Sequence, residues 1–103
     1  MTALRGSDRR HLRALANPIK AVVQVGGAGL SEGVLAAVDR ALRDHELVKV
    51  RIAADREERR GIAARIAQGT ASELAGLVGR VAIFYRPSAN PEDREIRLPS
   101  AKG

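Results

Sequence analysis

Four small residues, Gly26, Gly27, Ala28 and Gly29, follow an apolar run and precede the start of a predicted helix. Glycine has no Cβ, so an extended anionic backbone can come close to such a loop. The free N–H groups at the start of the following helix also favour negative charge. By itself, the loop does not separate a phosphate-binding site from a simple turn that needs positive φ at one or two glycines.

The spacing of this loop excludes two common nucleotide-binding motifs. Counted from Gly27, the sixth position of a dinucleotide-binding fingerprint would be Glu32 instead of glycine. Counted from Gly26, the Gly-Lys-Ser/Thr end of a P-loop would fall on Leu30, Ser31 and Glu32. What remains is Gly-x-x-Gly, a type of loop that grips nucleic-acid backbone. Glu32 mildly opposes phosphate binding at that helix end.

The chain is basic, and much of its positive charge lies near the N-terminus. It has 103 residues, and 18 Lys and Arg against 12 Asp and Glu give a net charge of +6 at pH 7. Residues 1–20 hold several basic side chains against Asp8 alone, whereas 31–46 are net acidic. Such a balance favours a polyanionic partner. With the glycine loop, the residues predicted to contact the polyanion are Arg9, Arg10, Arg13, Lys20, Lys49 and Arg51.

The polar residues do not form an arrangement expected of an enzyme. His11 and His45 lie far apart in the sequence, without paired carboxylates at a catalytic spacing. Ser7 and Ser31 are predicted to cap helices, and the chain has no cysteine and no metal-ligand spacing. We therefore expect no catalysis, no metal, no cofactor and no small-molecule substrate. Two alternatives stay open: a protein-interaction module that docks its basic first helix on an acidic partner, and a small phosphate-ligand enzyme.

The chain has one Phe and one Tyr and no Trp, and the two aromatic residues are neighbours, Phe84 and Tyr85. Adjacent residues of a strand point to opposite faces. The chain therefore cannot stack two or three bases on one face of a sheet, as RNA-recognition motifs do. We expect one ring to be core, and it stays open whether the other ring stacks on a base. Recognition should rest on the RNA backbone and its shape.

Three helices are predicted from apolar periodicity and from residues that begin and end helices. The predicted spans are 7–17, 31–44 and 55–69, with Ser7, Ser31 and Asp55 as caps and Gly69 at the last C-terminus. No stretch of about 18 apolar residues would cross a membrane, and the N-terminus lacks the apolar core of a signal peptide. We expect a cytoplasmic monomer.

Four strands alternate with these helices. The nearly continuous apolar run 20–25 predicts a strand buried on both faces, and 46–52 predicts a half-exposed strand with a basic face. Two further strands meet in a type II′ turn at Gly79-Arg80. The predicted fold class is α/β, a compact single domain of order α-β-α-β-α-β-β with a four-stranded mixed sheet and three helices. Its core lies within about 4–87, and 88–103 is expected to be a polar, mobile tail with a short extended piece at 95–99.

The sequence resembles the CRM domain, the RNA-binding module of chloroplast splicing factors and of small bacterial YhbY-type proteins. The resemblance runs from about Leu4 to Pro99 and is carried by the segments "LANPIKAVVQVGGAGLSEGV", "DHELVKV" and "GRVAIFYRP". It implies a compact α/β fold related in shape to the C-terminal domain of initiation factor three. It also implies binding to ribosomal RNA, in bacteria on precursors of the large ribosomal subunit, and a role in ribosome assembly.

The family's Gly-x-x-Gly loop falls on Gly26, Gly27, Ala28 and Gly29 of this chain. The sequence departs from the family in the middle pair, Gly27-Ala28, where the family often has a polar or basic residue, and at Ala21, where it often has proline. The first departure weakens the charge of the loop itself. It shifts RNA binding toward Lys20, the flanking helix and the basic strand face.

Overall fold

The computed structural model describes residues 4–26 and 29–99, and these confirm the predicted fold class and order of elements. A 3₁₀ helix, Pro91–Asp93, follows the last strand. The helices are α1 (Gly6–Ala16), α2 (Glu32–His45) and α3 (Arg56–Thr70), and the strands are β1 (Val23–Val25), β2 (Leu47–Ile52), β3 (Glu73–Val78) and β4 (Val81–Tyr85). In the described parts of the chain, no helix combines the length and apolar character needed to cross a bilayer.

The four strands form one mixed sheet in the order β1-β2-β4-β3. β1 runs parallel to β2, because α2 carries the chain back before β2 begins, and the other pairs are antiparallel. The turn between β3 and β4 has Gly79 at φ 58°, as the predicted type II′ turn requires. The prediction that β1 is buried on both faces is wrong: β1 is an edge strand, Val25 is buried, and Gln24 is exposed.

One face of the sheet is covered by α2 and α3. The first core cluster lies there and includes Val48, Val50, Ile52 and Phe84 of the sheet. Two predicted caps fix the starts of these helices: Ser31 Oγ accepts from the Val34 N–H at 3.2 Å, and Asp55 Oδ1 accepts from the Glu58 N–H at 2.9 Å. These local hydrogen bonds fix the residues at which both helices begin, before each helix crosses the sheet.

The sequence predicted Gly69 as the C-terminus of α3. The helix instead runs to Thr70, and Ala71 caps it in the left-handed conformation at φ 52°. Gly69 has a different role, because a Cβ on it would lie 3.0 Å from Leu35 Cδ2 of α2. The glycine lets the two helices pack closely.

The other face of the sheet is partly covered by α1. Leu12 and Ala16 of this helix pack in a second core cluster with Leu47, Ile83 and Tyr85 of the sheet. α1 begins at Gly6, so Ser7 is not its cap, contrary to the prediction. Instead, the Asp8 carboxylate accepts from the Arg5 N–H at 3.0 Å and closes the first turn.

Residues of the segment 88–99, which the sequence analysis expected to be a mobile tail, pack against this second cluster. Ile96 and Leu98 contact the cluster directly. The carboxylate of Glu46 accepts from the backbone N–H groups of Ser88 at 2.6 Å, Glu95 at 2.8 Å and Ile96 at 3.1 Å. The predicted extended piece at 95–99 forms no strand; residues 100–103 lie outside the described part of the chain.

Both aromatic rings are buried, on opposite faces of the sheet. Phe84 lies in the first cluster and Tyr85 in the second. Burial, reinforced by the charge of Glu46, raises the pKa of Tyr85. Neither ring is therefore exposed enough to stack on a base, which answers the question that the sequence left open.

Candidate nucleic-acid interface

α1 leaves one row of the sheet uncovered on its own face. Arg51 of β2 pairs with Val81 of β4 and with Gln24 of β1, and Val81 pairs with Val78 of β3. Paired residues point to the same face, and none of the four is buried; Val78 is 59% exposed. We call these four residues the open row.

The glycine loop adjoins the open row. The Ala53 N–H donates to Val25 O at 3.0 Å, and the Ile52 N–H donates to Arg80 O at 2.8 Å, so β1, β2 and the hairpin turn finish side by side. We call this part of the molecule the open end: Gly26, Gly29, the open row and the Gly79-Arg80 turn. Gln24, Arg51 and Arg80 are its exposed polar side chains.

The described part of the loop presents bare backbone. The Gly29 N–H donates to Gly26 O at 3.0 Å, and Gly29 has φ 85°, which explains the need for glycine there. Among the described residues outside its chain neighbours, none has a heavy atom within 4 Å of the position that a Cβ on Gly26 would take. Gly27 and Ala28, both predicted site residues, lie outside the described residues.

Arg13, one of the predicted α1 residues, contacts β3, and part of its role is structural. Its Nη1 donates to Ala75 O at 3.4 Å. Its stem covers Gly76, where a Cβ would come within 2.7 Å of Arg13 Cδ. Arg13 therefore fastens α1 to β3 beside the open row. Arg9 lines a groove of about 560 Å³ with Arg13 along the free edge of β3, and Arg10 is exposed.

The two predicted lysines lie in different places. Lys49 of β2 is half-buried, and its Nζ donates to Asn17 O at 3.3 Å, between the end of α1 and the open row. Lys20 lies before β1, at the opposite end of that strand from Gly26. It lines a cleft with His45 instead. The structure thus places Arg51 near Gly26 and Gly29, puts Lys49 two residues earlier on β2, and puts Arg13 over β3 at the opposite edge of the sheet. Lys20 lies apart from all of them.

The sequence analysis missed four arginines near the open end. Arg80 lies in the hairpin turn itself. The other three, Arg56, Arg59 and Arg60, line a cleft of about 310 Å³ between α3 and the turn. The sequence around them, "DREERR", has as many acidic as basic residues, so its charge gives no signal. Only helical spacing, which puts positions i, i+3 and i+4 on one face, could have found them.

The ion pairs lie elsewhere. In 4–26 and 29–99, both ion pairs involve Asp39 of α2, which contacts Arg43 at 2.8 Å and Arg86 at 2.7 Å. Hydrogen bonds from Arg43 and Arg86 lower the pKa of Asp39. Arg86 also donates to Thr70 O at 2.6 Å, so it joins β4 to both helices of the first face. No group of three or more His, Asp and Glu in this part of the chain could hold a metal ion.

The fold and the glycine loop define a small α/β domain with helices on both faces of a mixed sheet and a basic, uncovered sheet end. The chain belongs to the CRS1 / YhbY (CRM) domain family, whose model matches residues 4–86. This confirms the resemblance found in the sequence.

Relatives agree with this assignment. The chain is 41% identical over 100 residues to a Haemophilus influenzae protein named an RNA-binding protein, with 96% of this chain and 98% of the relative covered. It is 37% identical over 90 residues to a probable RNA-binding protein of Pseudomonas aeruginosa, covering 86% of each. A solution structure of a hypothetical Staphylococcus aureus protein, described as a candidate RNA-binding protein, matches with TM-score 0.82 and 32% identity over 93% of this chain and 99% of that one. These proteins are named for RNA binding and not for a reaction.

Proposed function

We propose that this protein binds structured RNA through its open end. The observation that carries the proposal is the meeting, at one uncovered sheet end, of the bare backbone of Gly26 with exposed Arg51 and Arg80. Glycine admits a phosphate backbone, and arginine binds phosphate with two parallel N–H groups. The names of the relatives support RNA as the polyanion.

The mode of recognition follows from what the open end lacks. Both aromatic rings are buried, so bases have no stacking platform among the described residues. The exposed groups are suited to phosphates and sugars, which position an RNA without reading its sequence. Specificity then comes from the shape of a folded RNA.

The finer part of the proposal concerns which RNA is bound. The resemblance in sequence favours ribosomal RNA in precursors of the large subunit, with the protein acting in ribosome assembly as a cytoplasmic monomer. Crosslinking in cells, followed by sequencing of the bound RNA, tests this part. Enrichment of large-subunit precursor RNA is the expected result, and enrichment of unrelated messenger RNA would contradict it.

The binding itself is tested by fluorescence anisotropy with a structured RNA over a range of salt. About four to six phosphate contacts predict a slope of log affinity against log salt of roughly −3 to −5. Arg51→Glu should weaken binding by about ten-fold or more, because it places a carboxylate beside the phosphates. Arg40→Glu, an equal charge change on the exposed surface of α2, is the matched control.

Two results would contradict RNA binding at the open end. A flat salt response would remove the electrostatic basis of the proposal. Equal loss of affinity in Arg51→Glu and Arg40→Glu would show that only net charge matters. Melting curves of both variants check that folding is unchanged.

A further inference from the structure

A second basic surface lies next to the open end, on the other side of the hairpin turn. It is the cleft of about 310 Å³ lined by Arg56, Arg59, Arg60, Leu77 and Gly79. All three charged side chains that line it are arginines. We call it the arginine cleft.

The helix separates the charges that the sequence mixes. In α3, Arg56 is followed by Glu57 and Glu58 and then by Arg59 and Arg60. Residues three and four apart share a helix face, so the three arginines line the cleft while the two glutamates do not. Asp55, the remaining acidic residue of the segment, is engaged as the cap that accepts the Glu58 N–H. A segment that is neutral in sequence thus presents a cationic face.

Arg59 is held in place and still has an unused donor. Its Nη1 donates to Ala54 O at 2.7 Å, which fixes the guanidinium beside the cleft. Its Nε is buried and has no hydrogen-bond partner among the described residues. A buried donor without a partner is uncommon in folded proteins, so the protein itself does not fully satisfy this guanidinium. The turn residue Gly79 adds an open approach, since no heavy atom lies within 4 Å of its Cβ position.

The arginine cleft and the open end are connected by the hairpin. Arg80 O accepts from the Ile52 N–H at 2.8 Å, and Arg51 lies next to Ile52 on the open row. The neighbouring turn residue, Gly79, lines the cleft. We propose that the arginine cleft is a second RNA phosphate site, so that the bound RNA backbone passes over the Gly79-Arg80 turn from the open row to α3. This inference rests on the proposed RNA-binding function and extends its footprint to the opposite face of the sheet.

The test replaces arginines without touching the one that is fixed by Ala54. The double variant Arg56→Gln/Arg60→Gln removes two cleft cations and keeps Arg59. Arg65→Gln is the matched control for one charge, because Arg65 is exposed on the same helix and does not line the cleft. Arg60→Gln alone gives the direct one-to-one comparison, and Arg51→Glu reports on the open end. Affinity for a structured RNA is measured by anisotropy over a range of salt, and folding by thermal melting.

We expect Arg60→Gln to weaken RNA binding more than Arg65→Gln does. The double variant should weaken binding about ten-fold and make the slope of log affinity against log salt shallower by about one or two, because one or two phosphate contacts are lost. In the parent protein, adding RNA should shift the NMR signals of the Leu77 and Gly79 amides. If Arg51→Glu weakens binding while Arg60→Gln and Arg65→Gln behave alike, the cleft proposal is overturned and RNA binding at the open end stands. If the parent protein binds no RNA, the proposed function itself fails.

Discussion

The two ends of β2 use charge in opposite ways. Where β2 begins, Glu46 is only 4% exposed, and its carboxylate accepts three backbone N–H groups of residues 88–96. We call this the closed end: Glu46, Leu47, Tyr85 and the segment 88–98 that packs on them. Where β2 finishes, Arg51 is exposed beside Gly26. At one end of β2 the charge of Glu46 stabilises the fold, and at the other end the charge of Arg51 remains exposed for a binding partner.

The contrast follows from the cost of burying charge. An ion removed from water must be satisfied inside the protein, as the Glu46 carboxylate is. Such a group stabilises the fold and cannot bind anything else. A solvated arginine contributes little to folding and keeps its donors for a ligand. Changes at the closed end should therefore alter stability, and changes at the open end should alter binding.

The largest expected effect comes from the two buried aromatic rings, Tyr85 at the closed end and Phe84 on the opposite face of the sheet. Because both rings are buried, Phe84→Ala and Tyr85→Ala should each lower the free energy of unfolding by about 3–5 kcal/mol. At the open end Val78→Ala should change it by no more than about 0.5 kcal/mol, because Val78 is mostly exposed. Denaturant unfolding measures all three. A Tyr85 variant as stable as the parent, with weaker RNA binding, would show that this ring meets RNA.

The next effect concerns the carboxylate of Glu46. Glu46→Ala leaves three N–H groups without their acceptor and should cost about 3 kcal/mol, and Glu46→Gln should cost less because it keeps one oxygen. Hydrogen exchange should then accelerate first at the amides of Glu95 and Ile96. The RNA affinity of the folded protein should stay at the parent value. Unchanged exchange at these amides would mean that other contacts hold the segment.

At the open end, the smallest change of shape should affect only binding. Gly26→Ala adds a methyl group in open space at a residue whose φ is not in the left-handed region, so stability should change by no more than about 0.5 kcal/mol. RNA affinity should fall by about 1 kcal/mol if phosphate approaches the bare backbone. Gly61→Ala, also in open space but inside α3, is the control and should stabilise the helix without affecting RNA. Equal RNA affinity of Gly26→Ala and the parent would leave the loop as a turn only.

The smallest effect is a pH dependence away from the open end. The pKa of Asp39 is lowered below 3.8 by Arg43 and Arg86, so its contribution to stability is present above pH 3.8 and is lost as pH falls through the lower, folded-state value. Because Asp39 is 37% exposed, the contribution should be under about 1 kcal/mol. Unfolding of Asp39→Asn against the parent should differ at pH 6 and converge at low pH. A constant difference across this range would exclude the ionised carboxylate as its source.

Local signals predicted much of the fold. Ser31 and Asp55 cap helices through residues three positions away, and Gly79 sets the hairpin turn by its own φ. Such interactions are encoded within a few neighbouring residues, so sequence patterns reveal them. The alternation of β2 was also visible and gave Lys49 and Arg51 their shared face.

Long-range packing explains what the sequence did not predict. β1 has the composition of a central strand, but the strand order makes it an edge. Glu46 looks like a surface residue in sequence. The backbone N–H groups that donate to its carboxylate lie more than 40 residues later in the chain. For the candidate site, the cation grouping around Gly26 was predicted only in part: Lys20 lies at the other end of β1, and the α3 arginines were hidden in a neutral segment.

The second core cluster brings the first and last described segments of the chain together. Leu4, from before α1, shares that cluster with Ile96 and Leu98, from beyond the 3₁₀ helix. Any polypeptide joined before Leu4 or after Leu98 would thus emerge from the closed end, behind the surface that we propose for RNA.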